Sequence, residues 1–413
     1  MSALKLETID IIDPDLYVSR GYPHQEWALL RREAPVYWYE RPNVDPFWAV
    51  TGHAQIVEVS RQPALFKSLQ RLFMTINEEG APDPNEGILR QLLNMNPPEH
   101  GAYRGVVNRR FTPRGVQVLR QQIEAITTEV LDGLVGREEC DFVLEVSAKL
   151  PLAVIAEMFG IPRADWDTMF RLSNMMIGPS DPEYGGSNTV KETLELARME
   201  FFQYFNTLVE DRRKNPRDDL ASALANGKVN GEPLPIFELM SYFALLIIAG
   251  NETTRNATTG GLFAFINHPD QWRRLKADPS LVPHAVEEIV RWTSPVIQFN
   301  REAVADTELN GQKIRAGDLL CLFYPSANRD ETVFERPDEF DIGRNPNPHI
   351  AFGIGEHFCL GANLARLELQ VMFRQLAERL EAIELNGPIQ RMRSSFVGGI
   401  KHMPVRYRIK PRA

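Results

Sequence analysis

The chain is poor in cysteine, and its few cysteines are scattered. Only three occur in 413 residues, Cys140, Cys321 and Cys359, and no two of them form a Cys-x-x-Cys pair. This spacing argues against a disulfide framework and against a structural zinc site, because both need clustered cysteines. Each cysteine is therefore free to act alone.

The sequence also lacks an excess of basic charge and any long apolar run. With 46 basic and 55 acidic residues, its formal charge of −9 gives no general attraction to nucleic acid phosphates. The acidic residues near the N-terminus do not suit a signal peptide, and the longest apolar run, YFALLIIAG at 242–250, is too short to span a bilayer. We therefore expect no nucleic acid partner, no membrane span and a cytoplasmic location.

Helical periodicity is what the sequence has in quantity. Apolar residues recur at helical spacing through most of 98–275, and short extended runs lie near 36–50 and 294–324, including a hairpin around Asn310-Gly311. No repeat or linker divides the chain, so we expect one mainly α domain, 1–413, with minor β structure. Within it we expect a β-rich lobe over about 1–95, with a breaker-rich access loop at 77–87, and a helical body over 96–413.

The setting of Cys359 is more constrained than a structural thiol requires. It lies in HIAFGIGEHFCLGANLARLE (349–368), after Gly353 and Gly355 and before a predicted helix that begins near Leu360. Glycines let the backbone bend sharply and bring N–H groups near the sulfur, and the start of a helix is electropositive. Both effects stabilise a thiolate, which inside a large apolar protein can serve as the axial ligand of a haem iron.

Of three other interpretations of this stretch, the first fails, the second is weak, and the third is the structural alternative. A dinucleotide fingerprint would need a third glycine where Phe358 stands, and no βαβ unit surrounds it. A zinc site built from His349, His357 and Cys359 would lack an evident fourth ligand. A buried thiol in a turn is the default for a single cysteine.

The segment AGNETT at 249–254 interrupts the most apolar helix of the chain. The segment places Gly250, Asn251 and Glu252 inside this apolar helix, at a cost in helix propensity and in desolvation of polar groups. This cost needs an explanation. A structural explanation is that Thr253 and Thr254 bond back to carbonyls one turn earlier while Glu252 finds a cation. A functional explanation is that an acid beside an alcohol in a buried groove relays protons to a bound oxygen species.

A pair of opposite charges lies on one predicted helix face. In EEIVR, Glu288 and Arg291 are three residues apart, a spacing that is common on solvated surfaces. Arg344, in PDEFDIGR, lies in the breaker-rich segment that leads to Cys359. We expect its guanidinium to join the pair and to support that segment.

Four basic side chains form a dispersed set. His100 and Arg104 share a helical face, Arg301 follows a probable strand, and His357 lies two residues before Cys359. Singly, each is more easily explained as a surface or core polar residue. Together they can neutralise the two propionates of a haem, because carboxylates take charge-assisted bonds from such donors.

These residues together resemble the cytochrome P-450 superfamily of haem-thiolate monooxygenases, from about residue 97 to the end. The superfamily's cysteine loop, F-G-x-G-x-H-x-C-x-G, is matched by Phe352, Gly353, Gly355, His357, Cys359 and Gly361. Its proton-relay motif, A/G-G-x-D/E-T, is matched by Ala249, Gly250, Glu252 and Thr253. Its E-x-x-R and H-x-x-x-R motifs are matched by Glu288 with Arg291 and by His100 with Arg104.

The resemblance implies a triangular, mainly helical P-450 fold with haem b between the helix of Thr253 and the helix that follows Cys359. Cys359 would be the axial iron ligand, and Glu252 and Thr253 would be the catalytic proton relay. The implied cofactor-binding residues are His100, Arg104, Arg301, His357, Phe352, Ala249 and Gly250, with Glu288, Arg291 and Arg344 as structural support.

The resemblance also implies partners. We expect no flavin or iron–sulfur domain to be fused to this chain, so the resemblance implies that O2 would be activated with electrons from a separate ferredoxin and ferredoxin reductase. Arg109, Arg110 and Arg114 would offer a basic docking patch, although an ordinary solvated helix face explains them equally well. A peroxygenase that uses H2O2 and a non-catalytic haem-binding protein are the alternatives, and the acid–alcohol pair favours the O2-dependent enzyme.

The implied substrate is lipophilic, because the residues expected over the haem are almost all apolar. They are Leu72, Phe73, Met74, Met176, Leu245, Ile248, Val296, Ile297, Phe396 and Val397. At finer grain, AGNETTRN, RNPNPH, GANLAR and GIKHMPV are similar to a bacterial subgroup that hydroxylates sterol side chains, branched lipids and terpenoids. A steroid, a terpenoid or a fatty-acid-like molecule is therefore expected.

Overall fold

A computed structural model of the chain describes residues 4–69, 71–77, 90–179 and 181–412. All of the predicted access loop at 77–87 except Asn77 lies outside the described residues. The fold is 52% helical with several small sheets.

The helices are as follows. They comprise α1 (Pro14–Arg20), α2 (His24–Glu33), α3 (His53–Ser60), α4 (Glu99–Phe111), α5 (Pro113–Gln117), α6 (Arg120–Asp132), α7 (Lys149–Phe159), α8 (Trp166–Ile177), α9 (Pro182–Gly185), α10 (Val190–Lys214), α11 (Leu220–Ala225), α12 (Ile236–Asn267), α13 (Pro269–Ala277), α14 (Val282–Thr293), α15 (Tyr324–Ala327) and α16 (Ala362–Arg379). The helix after Cys359 thus begins two residues later than the predicted start at Leu360.

The strands are short and spread along the chain. They comprise β1 (Val36–Arg41), β2 (Val44–Val50), β3 (Phe66–Lys67), β4 (Glu139–Asp141), β5 (Lys228–Val229), β6 (Glu232–Pro233), β7 (Gln298–Ala303), β8 (Thr307–Leu309), β9 (Gln312–Ile314), β10 (Leu319–Phe323), β11 (Leu380–Leu385), β12 (Gln390–Arg391), β13 (Ile400–His402) and β14 (Pro404–Ile409). The predicted hairpin at Asn310-Gly311 joins β8 to β9, with positive φ at both turn residues as such a turn requires.

The largest sheet has the strand order β1-β2-β10-β7-β3. Its pairs are antiparallel except β2 with β10, which run parallel. Two of its five strands, β7 and β10, come from 298–323, so the predicted boundary near residue 95 does not enclose the β-rich lobe. A three-stranded sheet, β11-β14-β4, joins the C-terminal strands to the middle of the chain.

Helix α12 runs through the main hydrophobic core and packs against α7, α8, α14 and α16. Within the described ranges it alone has the length and hydropathy of a membrane span, and its packing identifies it as a core helix. Local signals set the ends of its neighbours. Thr189 and Glu192 form a reciprocal capping box at the start of α10, and Gly160 ends α7 in the left-handed conformation.

Candidate active site

A tight turn brings Cys359 to the start of α16. The Cys359 N–H donates to the Phe352 carbonyl over 2.8 Å and closes the turn. Gly353 and Gly355 have φ values of 71° and 72°, a region that suits glycine. A Cβ on Gly355 would lie 2.5 Å from the Ser60 carbonyl oxygen, so the close approach to α3 also requires glycine.

Cys359 is partly buried as a residue, and opposing effects act on the pKa of its thiol. Burial raises the pKa, while the N–H groups of Gly361 and Ala362 and the guanidinium groups of Arg104 and Arg366 lower it. Burial prevails and the net shift is upward, although the N–H groups at the helix start favour the thiolate in the direction that the sequence predicts. A bound metal ion would supply the missing stabilisation, because it replaces the proton.

The other two cysteines are buried thiols with structural surroundings. Burial raises the pKa of Cys140 to about 12, and that of Cys321 also lies well above its ordinary value. The Cys321 sulfur donates to the Gln298 side-chain oxygen over 2.6 Å inside the N-terminal core. Cys359 is thus set apart by its partial exposure as well as by its turn.

An accessible stripe interrupts the buried surface of α12. Leu245, Ile248, Ala249 and Thr253 are exposed or half-exposed, whereas most of their neighbours on the helix are buried. Their spacing of three to four residues places them on one face. Gly250 is oriented differently, because a Cβ there would meet the Ile155 side chain of α7 at 3.4 Å.

Glu252 and Thr253 have different surroundings although they are neighbours. The Thr253 hydroxyl donates to the Ala249 carbonyl over 2.9 Å, as the structural explanation of this motif predicts. Glu252 is fully buried and pairs with Arg255, whose guanidinium also donates to the Asn174 side-chain oxygen of α8 over 3.1 Å. Burial raises the pKa of Glu252, and the opposing effect of Arg255 does not cancel this. Arg255 was not predicted, although it is part of the quoted AGNETTRN.

The four dispersed basic side chains come together. The rings of His100 and His357 lie 4.3 Å apart between centroids, and Arg104 and Arg301 affect both. Burial and the two arginines lower the pKa of His100 to about 4 and that of His357 to about 3. Among the residues that the structure describes, no carboxylate forms an ion pair with any of the four. The two arginines carry the positive charge of this cluster and the two imidazoles add hydrogen-bonding groups, so the cluster is suited to an anionic group.

A group of charged side chains, Arg366, Glu287 and His349, lies beside Phe352, and the sequence analysis did not predict it. The Arg366 guanidinium lies 4.5 Å above the Phe352 ring and makes a bidentate pair with Glu287, at 2.7 and 2.8 Å. His349 Nε2 lies 3.0 Å from the same carboxylate. Burial opposes ionisation of Glu287, but bonds from Arg366 and His349 prevail and lower its pKa to about 2. The sequence signal that could have indicated this group is the position of Arg366, about two helical turns after Cys359.

Glu288 and Arg291 form a wholly buried bidentate pair with both N···O distances at 2.8 Å. Arg344 donates to Glu288 over 3.2 Å. Arg291 also donates to the carbonyls of Asn328 and Pro337, at 2.8 and 2.9 Å. The three side chains therefore fix the irregular segment that precedes the Cys359 loop.

The predicted pocket segments converge, but not all of their side chains face the same way. The Phe73 and Phe396 rings stack at 4.3 Å, and Val296 pairs with Val397, which is buried. On α8 and α12, Met176, Leu245 and Ile248 are half-buried against the main core. Leu72 is also half-buried, and its carbonyl accepts from the Asn300 N–H over 2.7 Å.

Met74 and Ile297 are corrections to the predicted pocket. Both are 0% exposed and pack in the N-terminal core with Cys321 and Phe323. Side chains alternate along extended backbone, so Phe73 and Val296 point to one side while Met74 and Ile297 point to the other. The pocket prediction named whole segments and could not separate the two sides.

The predicted basic patch is weaker than its sequence suggests. Arg109 and Arg114 are exposed, but Arg110 pairs with Asp218 at 2.7 Å. Phe358, beside Cys359, is an exposed aromatic side chain, at 40%. The surface near the cysteine loop thus combines cations with an apolar contact.

The residues of this site fit a haem. Cys359 is only partly buried, α12 offers an accessible apolar stripe, and within the described residues the basic cluster lacks the carboxylates that haem propionates would provide. Ala249 is itself exposed in the middle of α12, a helix in which most residues are buried. These features are needed by a large apolar cofactor with two acidic groups, and a simple metal site does not explain them.

Comparison with known proteins gives a consistent result. The family model for cytochrome P450 matches residues 155–409. A steroid C26-monooxygenase of Rhodococcus jostii (strain RHA1) is 38% identical over 410 residues, covering 97% of this chain and 85% of that protein. A linalool 8-monooxygenase of Pseudomonas putida is 37% identical, covering 97% and 99%.

The fold agrees with this relationship. The crystal structure of CYP108D1 from Novosphingobium aromaticivorans DSM12444 superposes with a TM-score of 0.88 at 36% identity, covering 97% of each chain. The predicted fold class, mainly α with small sheets, is therefore confirmed. The chain belongs to the cytochrome P450 family, and it is a P450 monooxygenase whose cofactor is a haem iron.

Proposed function

We propose that this P450 hydroxylates a lipophilic small molecule of the steroid, terpenoid or branched-lipid class, using O2 and electrons from a separate ferredoxin and ferredoxin reductase in the cytoplasm. The observation that carries the proposal is the accessible stripe of α12, which presents Leu245, Ile248 and Ala249 and ends at the Thr253 hydroxyl. An apolar surface that leads to a polar relay suits a substrate bound by burial and shape. The names of the steroid and linalool relatives support the substrate class.

In this proposal the cofactor is haem b, held by Cys359 as axial ligand. His100, Arg104, Arg301 and His357 would bind its propionates, Phe352 would cover the sulfur, and Ala249 would contact the haem. The predicted contact from Gly250 is not part of this proposal, because its Cβ position faces Ile155 of α7. When bound, the haem supplies the iron at which O2 is reduced and one oxygen atom is transferred to a C–H bond.

The protein residues would manage protons. The Thr253 hydroxyl donates to the Ala249 carbonyl, and it could exchange this bond for one to a water in the site and so pass on a proton. Glu252 has a raised pKa in its buried pair with Arg255, and a carboxylate that takes up a proton more readily than usual suits a proton relay. A protein that only binds haem would not need the acid of Glu252 beside the alcohol of Thr253.

Electrons would arrive on the side of the Cys359 loop. Arg109 and Arg114 are exposed and, within the described residues, form no ion pair, so they are available to an acidic ferredoxin. Replacing both with glutamine should slow reduction by ferredoxin, most strongly at low ionic strength. Lys313→Gln, an exposed change on β9, should leave the rate unchanged.

The ferrous carbonyl spectrum tests the haem assignment. We expect the red-shifted Soret band of thiolate ligation, its loss in Cys359→Ser, and its retention in Cys321→Ser, where a hydroxyl can still donate to Gln298. A normal Soret position in the wild-type protein would contradict the assignment. Sterols, terpenoids and fatty acids should then be screened for the low-to-high-spin shift, and no response from any class would contradict the substrate proposal.

The source of oxidising power is tested separately. With a responding substrate, reduced ferredoxin and O2 should support faster product formation than hydrogen peroxide alone. Faster turnover with peroxide would identify a peroxygenase, and no product with either would favour a binding protein.

A further inference from the structure

Five charged side chains form a cluster outside the site described above. They are Asp141 of β4, Asp181 immediately before α9, Glu183 of α9, and Lys401 and His402 of β13. We call this set the α9 clamp. It joins the connection between α8 and α10 to two strands from other parts of the chain.

The contacts of the α9 clamp are close and continuous. Lys401 Nζ lies 2.9 and 3.0 Å from the two carboxylate oxygens of Asp181 and 3.1 Å from Glu183 Oε2. His402 Nδ1 lies 2.6 Å from Asp141 Oδ2, and its Nε2 lies 2.9 Å from Glu183. Two adjacent side chains of one strand therefore hold three carboxylates.

The clamped segment continues the helix that covers the proposed proton relay. Helix α8 packs against α12, and Asn174 of α8 accepts from Arg255, the partner of Glu252. The Tyr184 ring of α9 packs directly on Gly178, the residue at which α8 ends. A Cβ added to Gly178 would lie 3.0 Å from that ring. A displacement of α9 would therefore disturb the end of α8 and its packing against α12.

The charge balance of the clamp depends on His402. With His402 protonated, two cations face three carboxylates; with His402 neutral, Lys401 alone faces them, and Asp141 and Glu183 lose the cation between them. In the described part of the chain, no other charged side chain lies within ion-pair distance of the five. Burial lowers the pKa of His402, but bonds to Asp141 and Glu183 prevail and raise it. The charged form is therefore complete below the ordinary histidine pKa and is lost as the pH rises past the raised value.

We propose that the α9 clamp is a pH-dependent latch on the cover of the active site. It holds α9 against β4 and β13 while His402 is charged, and it loosens when His402 loses its proton. Lipophilic molecules then reach the α12 stripe faster at alkaline pH. The latch follows from the contacts of these five residues and does not depend on which substrate class the enzyme uses.

Hydrogen exchange of the haem-loaded enzyme tests the latch without using activity. Protection factors of the backbone amides in 181–189 should fall by about three- to tenfold between about pH 6 and about pH 8.5, as expected for loss of a partly buried ion pair. The association rate of 2-naphthyl isocyanide, an iron ligand with no titrating group, should rise over the same range. In His402→Gln, protection should be low and independent of pH.

Two further variants keep the test decisive. His284→Gln changes an exposed histidine of α14 that is outside the clamp, and it should behave as the wild type does. Glu183→Gln retains the Asp181–Lys401 pair and should reduce the pH dependence if His402→Gln does not fold. The latch is wrong if wild-type protection does not change with pH, or if both clamp variants keep the full wild-type dependence.

Discussion

Arg255 lies one turn beyond Glu252 on α12, and the two side chains form an ion pair with 1% and 0% exposure. Arg255 also donates to Asn174, so it connects the acid to helix α8. The acid of the relay motif is thus positioned by a residue outside the motif. Burial still raises the pKa of Glu252, which means that the pair holds a carboxylate that is unusually ready to take a proton.

Removing Arg255 should be costly. Arg255→Met leaves a carboxylate without its partner in the core, and we expect a loss of about 3–5 kcal/mol in the free energy of unfolding, measured in urea. The double variant Glu252→Gln/Arg255→Met should lose less than the sum of the two single variants, because it strands no charge. Additive losses would show that the pair is not coupled.

Disrupting the buried pair of Glu288 and Arg291 should lower the free energy of unfolding at least as much as removing Arg255. Glu288→Gln leaves both Arg291 and Arg344 without a carboxylate, and we expect a loss of about 3–5 kcal/mol together with poor haem incorporation. Arg336→Gln, which removes an exposed pair with Glu339 in the same segment, should cost about 0.5 kcal/mol or less. Equal losses in the two variants would contradict a special role for burial.

The basic cluster gives a pH-dependent prediction. Burial and two arginines lower the pKa of His100 to about 4, so the unfolded chain binds a proton that the haem-free fold does not bind over the range from its ordinary value of 6.5 down to about 4. The stability of the haem-free protein should therefore fall as the pH is lowered through that window. Because haem propionates favour the charged form of the His100 ring, the haem-loaded protein should lose less stability over the same pH range.

Titration by NMR checks this directly. The ring protons of His100 should titrate at a higher pH in the haem-loaded protein than in the haem-free protein, and His100→Gln should serve for assignment. An unchanged titration on loading would mean that no anionic group reaches the cluster.

Thr253→Ala should separate electron consumption from oxygen insertion. Without the hydroxyl, proton delivery is misdirected, and we expect more hydrogen peroxide per NADH consumed and a loss of product of about tenfold or more. Thr258→Ala removes the same type of bond to the helix backbone on the packed side of α12 and should leave coupling unchanged. Equal coupling in the two variants would remove Thr253 from the relay.

Much of the site was visible in local sequence patterns. The turn at Cys359, the interruption of α12 at AGNETT and the spacing of Glu288 with Arg291 depend on backbone propensity and helical periodicity, which act within a few residues. The partners that support them were not visible. Arg366 meets Glu287, Arg255 meets Asn174, and His402 meets Glu183 through contacts between distant segments.

The sequence by itself determined a mainly helical P450 fold, the one cysteine with a special setting and the types of side chain that a haem would need. Only the tertiary structure decided that His100 and His357 stack within 4.3 Å, and that Met74 and Ile297 face the N-terminal core. It also decided that the Cys359 pKa is raised and not lowered. The physical reason is that periodicity and turn chemistry are local, whereas burial, side-chain direction and charge balance depend on what the rest of the chain packs around each residue.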